Sequence, residues 1–387
     1  MLKALSRSGL LGLVGLTAIG LAGCSSRDTF EQPAPVPEIV DRVEFDEIWD
    51  MQVGEGHDEQ LMQLGPLVAD DRVYAAAADG TVVAATIETG KVHWWQYLDT
   101  SLLAGIGGDQ QRLYLVTGNA ELVVLSITDG SVLWEAALPN EVIASPRSNG
   151  DIVVVQTVDG NVLAFDGASG EKRWQYDGVV PVLSLRASAP PLVGSDMTLV
   201  SFSSGRLFAL ASDTGQPLWQ YTVGEPQGRT ELERLVDVTS EPLVLESAAL
   251  VTGYQGKLAL VDLRTGQEIW SRASSSLHTP AIADGNIYVS ESNGHLVAYE
   301  GSSRRAIWTQ DKLAWRQLSR PVVFDDYLVV GDFEGYIHIL ARDDGRLLGQ
   351  LEYDDEGLWI PMQRLQDKLL VYGNSGKLSL FELNERD

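Results

Sequence analysis

The stretch "DGNVLAFDGASGEKRWQ" (159–175) decides the fold, because its pattern returns along most of the chain. A turn at Asp159-Gly160 precedes an apolar strand, and a second turn at Ser169-Gly170 is followed four residues later by Trp174. Glycine supplies the positive φ angle that a tight hairpin requires. The stretch therefore predicts two short antiparallel strands, the second of which carries a tryptophan.

This pattern occurs eight times in the sequence. Six clear copies and two weaker ones cover residues 79–95, 119–135, 159–175, 204–220, 255–271, 293–309, 334–350 and 375–384. Another strand precedes each first turn, as in "DIVVVQTV" (151–158), and an apolar stretch before it makes a fourth. Four short antiparallel strands per repeat are typical of a propeller blade. The sequence thus predicts an all-β fold, an eight-bladed β-propeller of four-stranded antiparallel blades over residues 41–387.

The two ends of this region complement each other. The eighth repeat stops without a fourth strand or a tryptophan, whereas residues 43–53 form a strand with no partner before it. We predict that residues 43–53 are the outer strand of the last blade and close the ring, which removes an exposed sheet edge. The repeated tryptophans, which we expect to pack between blades, are then Trp49, Trp94, Trp134, Trp174, Trp219, Trp270 and Trp308.

The seventh repeat has Gly349 in the tryptophan position. A glycine leaves room that an indole fills in the other repeats. We expect either weaker packing there or a neighbour that fills the space.

The first forty residues read as a targeting segment and a tether. Residues 1–23 combine Lys3 and Arg7 with the apolar run "LLGLVGLTAIGLAG" (10–23), which predicts a signal peptide. The following Cys24, in "LAGCSS", resembles the lipid-attachment cysteine of bacterial lipoproteins, and Ser25 after it points to the outer membrane. Proline-rich residues 24–40 predict an extended tether with a reach of roughly 50 Å.

Composition limits the function classes. The net charge of −26 disfavours binding to nucleic acid or to anionic membrane surfaces. Cys24 is the sole cysteine, and the five histidines lie in different repeats without ligand spacing, so we expect no metal site. Nucleotide-binding and hydrolase motifs are also missing, and we expect no cofactor.

Two adjacent repeats are longer than the others, and their extra residues lie in 177–191 and 224–242. Both stretches cross from one blade to the next, so we expect them to form one protrusion on one face. Loops on a rigid scaffold are common binding sites. One interpretation is a protein-docking patch that contains Leu183, Leu185, Arg186 and Asp237. The other is an interblade ion pair of Arg186 with Asp237, with the leucines in the core, and both interpretations can hold together.

The repeat unit resembles the repeat of PQQ-dependent enzymes, and eight such units behind a lipid-attachment cysteine resemble the BamB family of outer-membrane assembly factors. The segments "VLSLRASAP" (182–190) and "ERLVDV" (233–238) resemble the family segments that dock on BamA. The resemblance implies a non-enzymatic, outer-membrane lipoprotein in the periplasm that binds the POTRA domains of BamA within the BAM complex and assists insertion of β-barrel proteins. Family members often carry a second acidic residue where this chain has Thr239.

Two alternatives remain open at the level of sequence. The same repeat occurs in quinoprotein dehydrogenases, and fold alone also permits a generic interaction scaffold. A further hypothesis is that unfolded β-barrel clients pair with the short sheet edges of the ring.

Overall fold

The computed structural model describes residues 31–57, 63–181, 183–185 and 188–385. Within these residues the chain forms eight four-stranded antiparallel sheets, seven from consecutive strands and the eighth from the last three strands and the N-terminal strand. The short strand Gln63–Leu64 is added in parallel to one of them. These sheets are the blades of a propeller, so the predicted architecture is confirmed.

The blades follow the order of the repeats. Blades one to four consist of Leu67–Ala69, Arg72–Ala76, Thr81–Thr86 and Val92–Tyr97; Leu102–Gly108, Arg112–Thr117, Glu121–Ser126 and Val132–Ala137; Arg147–Ser148, Ile152–Gln156, Asn161–Asp166 and Lys172–Asp177; and Leu192–Val193, Met197–Phe202, Arg206–Ala211 and Pro217–Thr222. Blades five to eight consist of Leu243–Leu245, Ala248–Val251, Gly256–Asp262 and Glu268–Ser274; Ala281–Ala283, Asn286–Ser290, Leu296–Glu300 and Ala306–Gln310; Val322–Phe324, Tyr327–Gly331, Tyr336–Ala341 and Leu347–Glu352; and Gln363–Leu365, Lys368–Tyr372, Lys377–Glu385 and Val43–Gln52.

The middle strands of each blade form the core. Val153, Val154 and Val155 are consecutive and all fully buried. Both faces of such a strand are covered because each blade packs between two others, so these strands are continuously apolar rather than alternating. Outer strands instead alternate between half-buried and exposed residues, as Val92–Tyr97 does.

The N-terminal strand closes the ring as predicted. Val43–Gln52 pairs antiparallel with the last strand, from Val43 opposite Glu385 to Gln52 opposite Lys377. The register shifts between Glu47 and Trp49. The same shift occurs just before the tryptophan position in the outer strand of every other blade. The N-terminal strand is therefore an outer strand like the other seven.

Five of the repeated tryptophans are hydrogen-bonded to the next blade. The Nε1 atom of Trp174 donates to the carbonyl oxygen of Ser212 at 2.8 Å, and Trp49, Trp134, Trp219 and Trp308 make equivalent bonds to the following blade. The indole ring lies against the turn glycine of that blade, so that a Cβ atom at Gly215 would come within 2.4 Å of Trp174. The space at Gly349 is filled by a neighbour, since a Cβ atom there would meet the carbonyl oxygen of Val43 at 2.1 Å.

One face of the ring carries all the connections between blades. Strands alternate in direction, so the crossings from an outer strand to the next inner strand share a face with the turns between second and third strands. We call it the crossing-loop face. The other face carries the turns between first and second strands and between third and fourth strands.

Candidate docking surface

The two long crossings meet on the crossing-loop face. The backbone N–H of Leu185 in the first crossing donates to Oδ2 of Asp237 in the second at 3.3 Å. Leu183 is 42% exposed, Leu185 is half-buried, and Asp237 is only 1% exposed. Three of the four predicted patch residues therefore lie together. The fourth, Arg186, lies outside the described residues, as does Cys24.

Asp237 is held by its own backbone as well as by the neighbouring loop. Its N–H and C=O groups pair with those of Tyr254 at 3.4 and 2.8 Å, which attaches the second crossing to blade five. Its other carboxyl oxygen, Oδ1, is buried without a hydrogen-bond partner among the described residues. Burial raises the pKa of the Asp237 carboxyl to about 7, although hydrogen bonds from the backbone at Leu185 and Val238 oppose the shift.

A single helical turn in the second crossing presents an apolar side chain that the sequence interpretation did not include. The hydroxyl of Thr230 accepts from the N–H of Glu233 at 3.1 Å, while the Glu233 carboxylate accepts from the N–H groups of Arg229 and Thr230. This reciprocal arrangement is a capping box. It holds Leu232 with 70% of its surface exposed. The spacing Thr-x-x-Glu around a leucine was the signal that could have identified this turn.

A second apolar side chain, Val179 in the first crossing, is 84% exposed. Together with Leu183 and Leu232 it gives the two crossings three exposed apolar side chains. Isolated exposed apolar residues are normal on protein surfaces, but several on adjoining loops indicate an interaction site.

Residues around the patch fix both crossings to the ring. The side chain of Gln63 donates to the carbonyl oxygen of Ser188 at 2.9 Å, which ties the first crossing to the segment that follows the N-terminal strand. Thr239, which replaces the second acidic residue, donates through its hydroxyl to the carbonyl oxygen of Leu277 at 2.8 Å. In this chain, position 239 therefore serves a contact between crossings rather than a surface charge.

A groove of about 440 Å³ lies beside the second crossing. Glu225 and Gln227 line one side, and Gln255 and Lys257 line the other. Its lining is polar, which suits backbone groups of a bound chain better than an apolar ligand.

Among the described residues, no three His, Cys, Asp or Glu side chains are grouped as a metal site would need. Across these described residues, no helix is long and apolar enough to cross a bilayer.

Comparison with known proteins gives one consistent result. The family model "Outer membrane protein assembly factor BamB" matches residues 40–104 and 95–310. The outer membrane protein assembly factor BamB of Marinobacter adhaerens is 59% identical over 98% of this chain and 97% of its own length. The corresponding protein of Pseudomonas aeruginosa is 36% identical over 95% of this chain and 97% of its own length.

Solved structures agree with these sequence relationships. The crystal structure of BamB from Moraxella catarrhalis superposes with a TM-score of 0.79 at 25% identity, covering 88% of this chain and all of that one. A europium-containing methanol dehydrogenase superposes with a TM-score of 0.70 over 87% of this chain and 93% of its own, but at 13% identity it shares the fold alone. The chain therefore belongs to the BamB family of outer membrane protein assembly factors.

Proposed function

We propose that the protein docks on the periplasmic POTRA domains of BamA through Leu183, Leu185, Arg186 and Asp237, and that Cys24 carries its lipid anchor. Family membership gives the coarser frame: an outer-membrane lipoprotein that faces the periplasm and acts in the BAM complex without enzymatic activity. The proposal adds the contact surface and the partner domain to that frame.

The hydrogen bond between Leu185 and Asp237 carries the proposal. It joins the crossings 178–191 and 223–242, the second of which is the longest between any two blades, and Leu183 projects from the joined loops. A half-exposed leucine beside a buried carboxyl group resembles the centre of a protein interface, where apolar anchors are surrounded by polar groups. Leu232 and Val179 would extend the same contact.

A pull-down from solubilised outer membrane tests this surface. We expect Leu183→Asp and Arg186→Glu to retain at least tenfold less of the barrel-assembly complex than the wild type. The matched control is Leu218→Asp, because Leu218 is 52% exposed but lies on the outer strand of blade four. Tryptophan fluorescence would verify that all three variants are folded.

Two outcomes would contradict the proposal. If Leu183→Asp and Arg186→Glu retain the complex as well as the wild type does, the partner binds elsewhere. If Leu218→Asp reduces retention as much as Leu183→Asp, the effect comes from general loss of apolar surface.

We also propose that unfolded clients pair with an outer sheet edge, and blade one offers an edge with exposed aromatic side chains. Trp95 and Tyr97 on its outer strand are 50% and 63% exposed. An edge strand with exposed aromatic side chains can accept an extended segment by β-augmentation. A photo-crosslinker at Trp95 should capture client barrels, whereas one at the equivalent exposed position Gln175 in blade three should not. Equal capture, or none, would contradict this idea.

A further inference from the structure

Part of the predicted tether lies on the propeller. The backbone N–H of Ala34 donates to the carbonyl oxygen of Ala314 at 2.9 Å, and the carbonyl oxygen of Ala34 accepts from Nη1 of Arg316 at 2.9 Å. Ala314 and Arg316 belong to the crossing between blades six and seven. Both backbone polar groups of one linker residue are thus bound by a single loop.

Arg316 is built into the fold as a rigid donor. Its side chain is only 1% exposed, and its Nε atom donates to Oδ2 of the fully buried Asp332 at 2.7 Å. Its Nη2 atom donates to Glu334 at 2.6 Å. The guanidinium also lies 5.6 Å from the ring of Phe333 and 5.9 Å from that of Tyr336. Because these contacts already fix the guanidinium, the Arg316 side chain loses little further conformational entropy when it binds the linker carbonyl.

The linker is bound again before the ring begins. The carboxylate of Asp41 accepts from the N–H of Gln350 at 3.1 Å, and the N–H of Arg42 donates to the carbonyl oxygen of Leu348 at 2.7 Å. Gln350 and Leu348 lie in the outer strand of blade seven. Residues 34–42 therefore run from the crossing-loop face along blade seven to the start of the N-terminal strand.

We propose that the Arg316 loop is a clamp for the lipid tether, and that it turns the crossing-loop face toward the membrane. The chain N-terminal to Ala34 starts from that face. Nine residues separate Cys24 from Ala34, which allows a reach of roughly 30 Å. Without the clamp the free chain would extend to Asp41 and reach roughly 50 Å. The inference depends on lipidation of Cys24 and not on the identity of the docking partner.

Amide hydrogen exchange at Ala34 in the full-length mature protein tests the clamp itself. We expect exchange in the wild type to be at least tenfold slower than in an unstructured peptide, and Arg316→Gln to abolish this protection. Glu38→Pro is the control, since Glu38 is exposed in the same linker and should leave the protection of Ala34 intact. Unprotected exchange at Ala34 in the wild type would overturn the clamp.

Fluorescence quenching in liposomes with quencher-labelled headgroups tests the orientation. Cys24 is the sole native cysteine, so a dye can be placed at Asn119→Cys on the crossing-loop face or at Thr128→Cys at the opposite end of the same strand. We expect at least twofold stronger quenching at position 119, and loss of this difference in Ala34→Pro, which removes the donated N–H without touching the propeller core. Equal quenching at both positions in the wild type would overturn the orientation.

Discussion

At the scale of single residues, the turn glycines set how closely neighbouring blades approach. Gly215 has a φ angle of +71°, and a Cβ atom there would lie 2.4 Å from Trp174 of the preceding blade. The position thus needs glycine for two separate reasons, namely its backbone conformation and the space beneath the indole ring. At Gly285 only the backbone conformation requires glycine, because the φ angle is +76° but nothing lies within 4 Å of a Cβ atom there.

This difference predicts unequal effects of alanine. Gly285→Ala should lower the free energy of unfolding by about 1–2 kcal/mol, since only the left-handed conformation is strained. Gly215→Ala should lower it by a further ~1–3 kcal/mol, because the added methyl group overpacks the interface with Trp174. Urea denaturation of both variants measures the difference. Equal losses would show that the indole moves aside at no cost.

The buried carboxyl group of Asp237 predicts a pH dependence. Burial raises the pKa of Asp237 to about 7. Between about pH 4 and 7 this carboxyl is therefore protonated in the folded protein, whereas it is ionised in the unfolded chain. By linkage, this group lowers the free energy of unfolding as the pH rises through that window. Asp237→Asn should therefore gain stability relative to the wild type by roughly 1.4 kcal/mol per pH unit.

Denaturation at pH 4.5, 6 and 7.5 would measure this effect, with the exposed Asp343→Asn as the control. The result also separates the two interpretations of the patch. An ion pair with Arg186 would keep the Asp237 carboxylate charged throughout the window, and the stability difference from the asparagine variant would then not change with pH.

Residues that depart from the repeat show where prediction from sequence stops. The glycine turns and the tryptophans were visible because both recur at a fixed spacing. Arg304 occupies the turn-glycine position of blade six with a φ angle of +62°, and its guanidinium lies 5.7 Å from the ring of Trp270. No local pattern indicates this substitute contact, because the two residues belong to different repeats and meet only after the blades have packed.

At the scale of elements, the N-terminal strand repeats the outer strands in pairing, bulge and tryptophan. Its first residue, Val43, lies opposite Glu385 at the end of the last strand. In every other blade the third and fourth strands are joined by a short turn. Blade eight therefore differs from the other blades in lacking a covalent turn between its third and fourth strands, although the ends of these two strands already lie side by side.

A circular permutant tests this description. We expect removal of residues 43–53 from the N-terminus to destabilise the propeller strongly, since blade eight would lose its outer strand and the contact of Trp49 with blade one. Attaching the same residues after Glu385 through a turn such as Thr-Thr-Gly should restore the midpoint of urea denaturation to within about 10% of the wild type. A control with residues 43–53 in scrambled order should not restore it.

A permutant that stays as unstable as the truncated chain would contradict the role of this strand.

Prediction of the strand itself succeeded because an incomplete eighth repeat and a surplus strand are both visible in sequence. The capping-box turn at 230–233 was missed although its Thr-x-x-Glu spacing is a local signal. The bound linker at Ala34 was not found because isolated backbone bonds leave no pattern in the sequence.

At the scale of the whole molecule, a rigid ring carries a large excess of negative charge. The net charge is −26 and becomes −28 if residues 1–23, which include Lys3 and Arg7, are removed. Buried ion pairs such as Arg316 with Asp332 are local and leave this excess unchanged. Like charges spread over one compact body repel one another and destabilise the folded state. The closed ring has to withstand that repulsion through its interblade contacts.

This repulsion predicts that salt stabilises the protein. Raising NaCl from 10 to 150 mM shortens the screening length from about 30 to about 8 Å. We expect the melting temperature to rise by a few degrees, which corresponds to about 1–2 kcal/mol in a domain of this size. Potassium chloride should act equally, whereas sucrose at the same osmolality should not reproduce the salt dependence. A melting temperature that falls with salt would instead mean that attractive ion pairs outweigh the net charge, since screening weakens both.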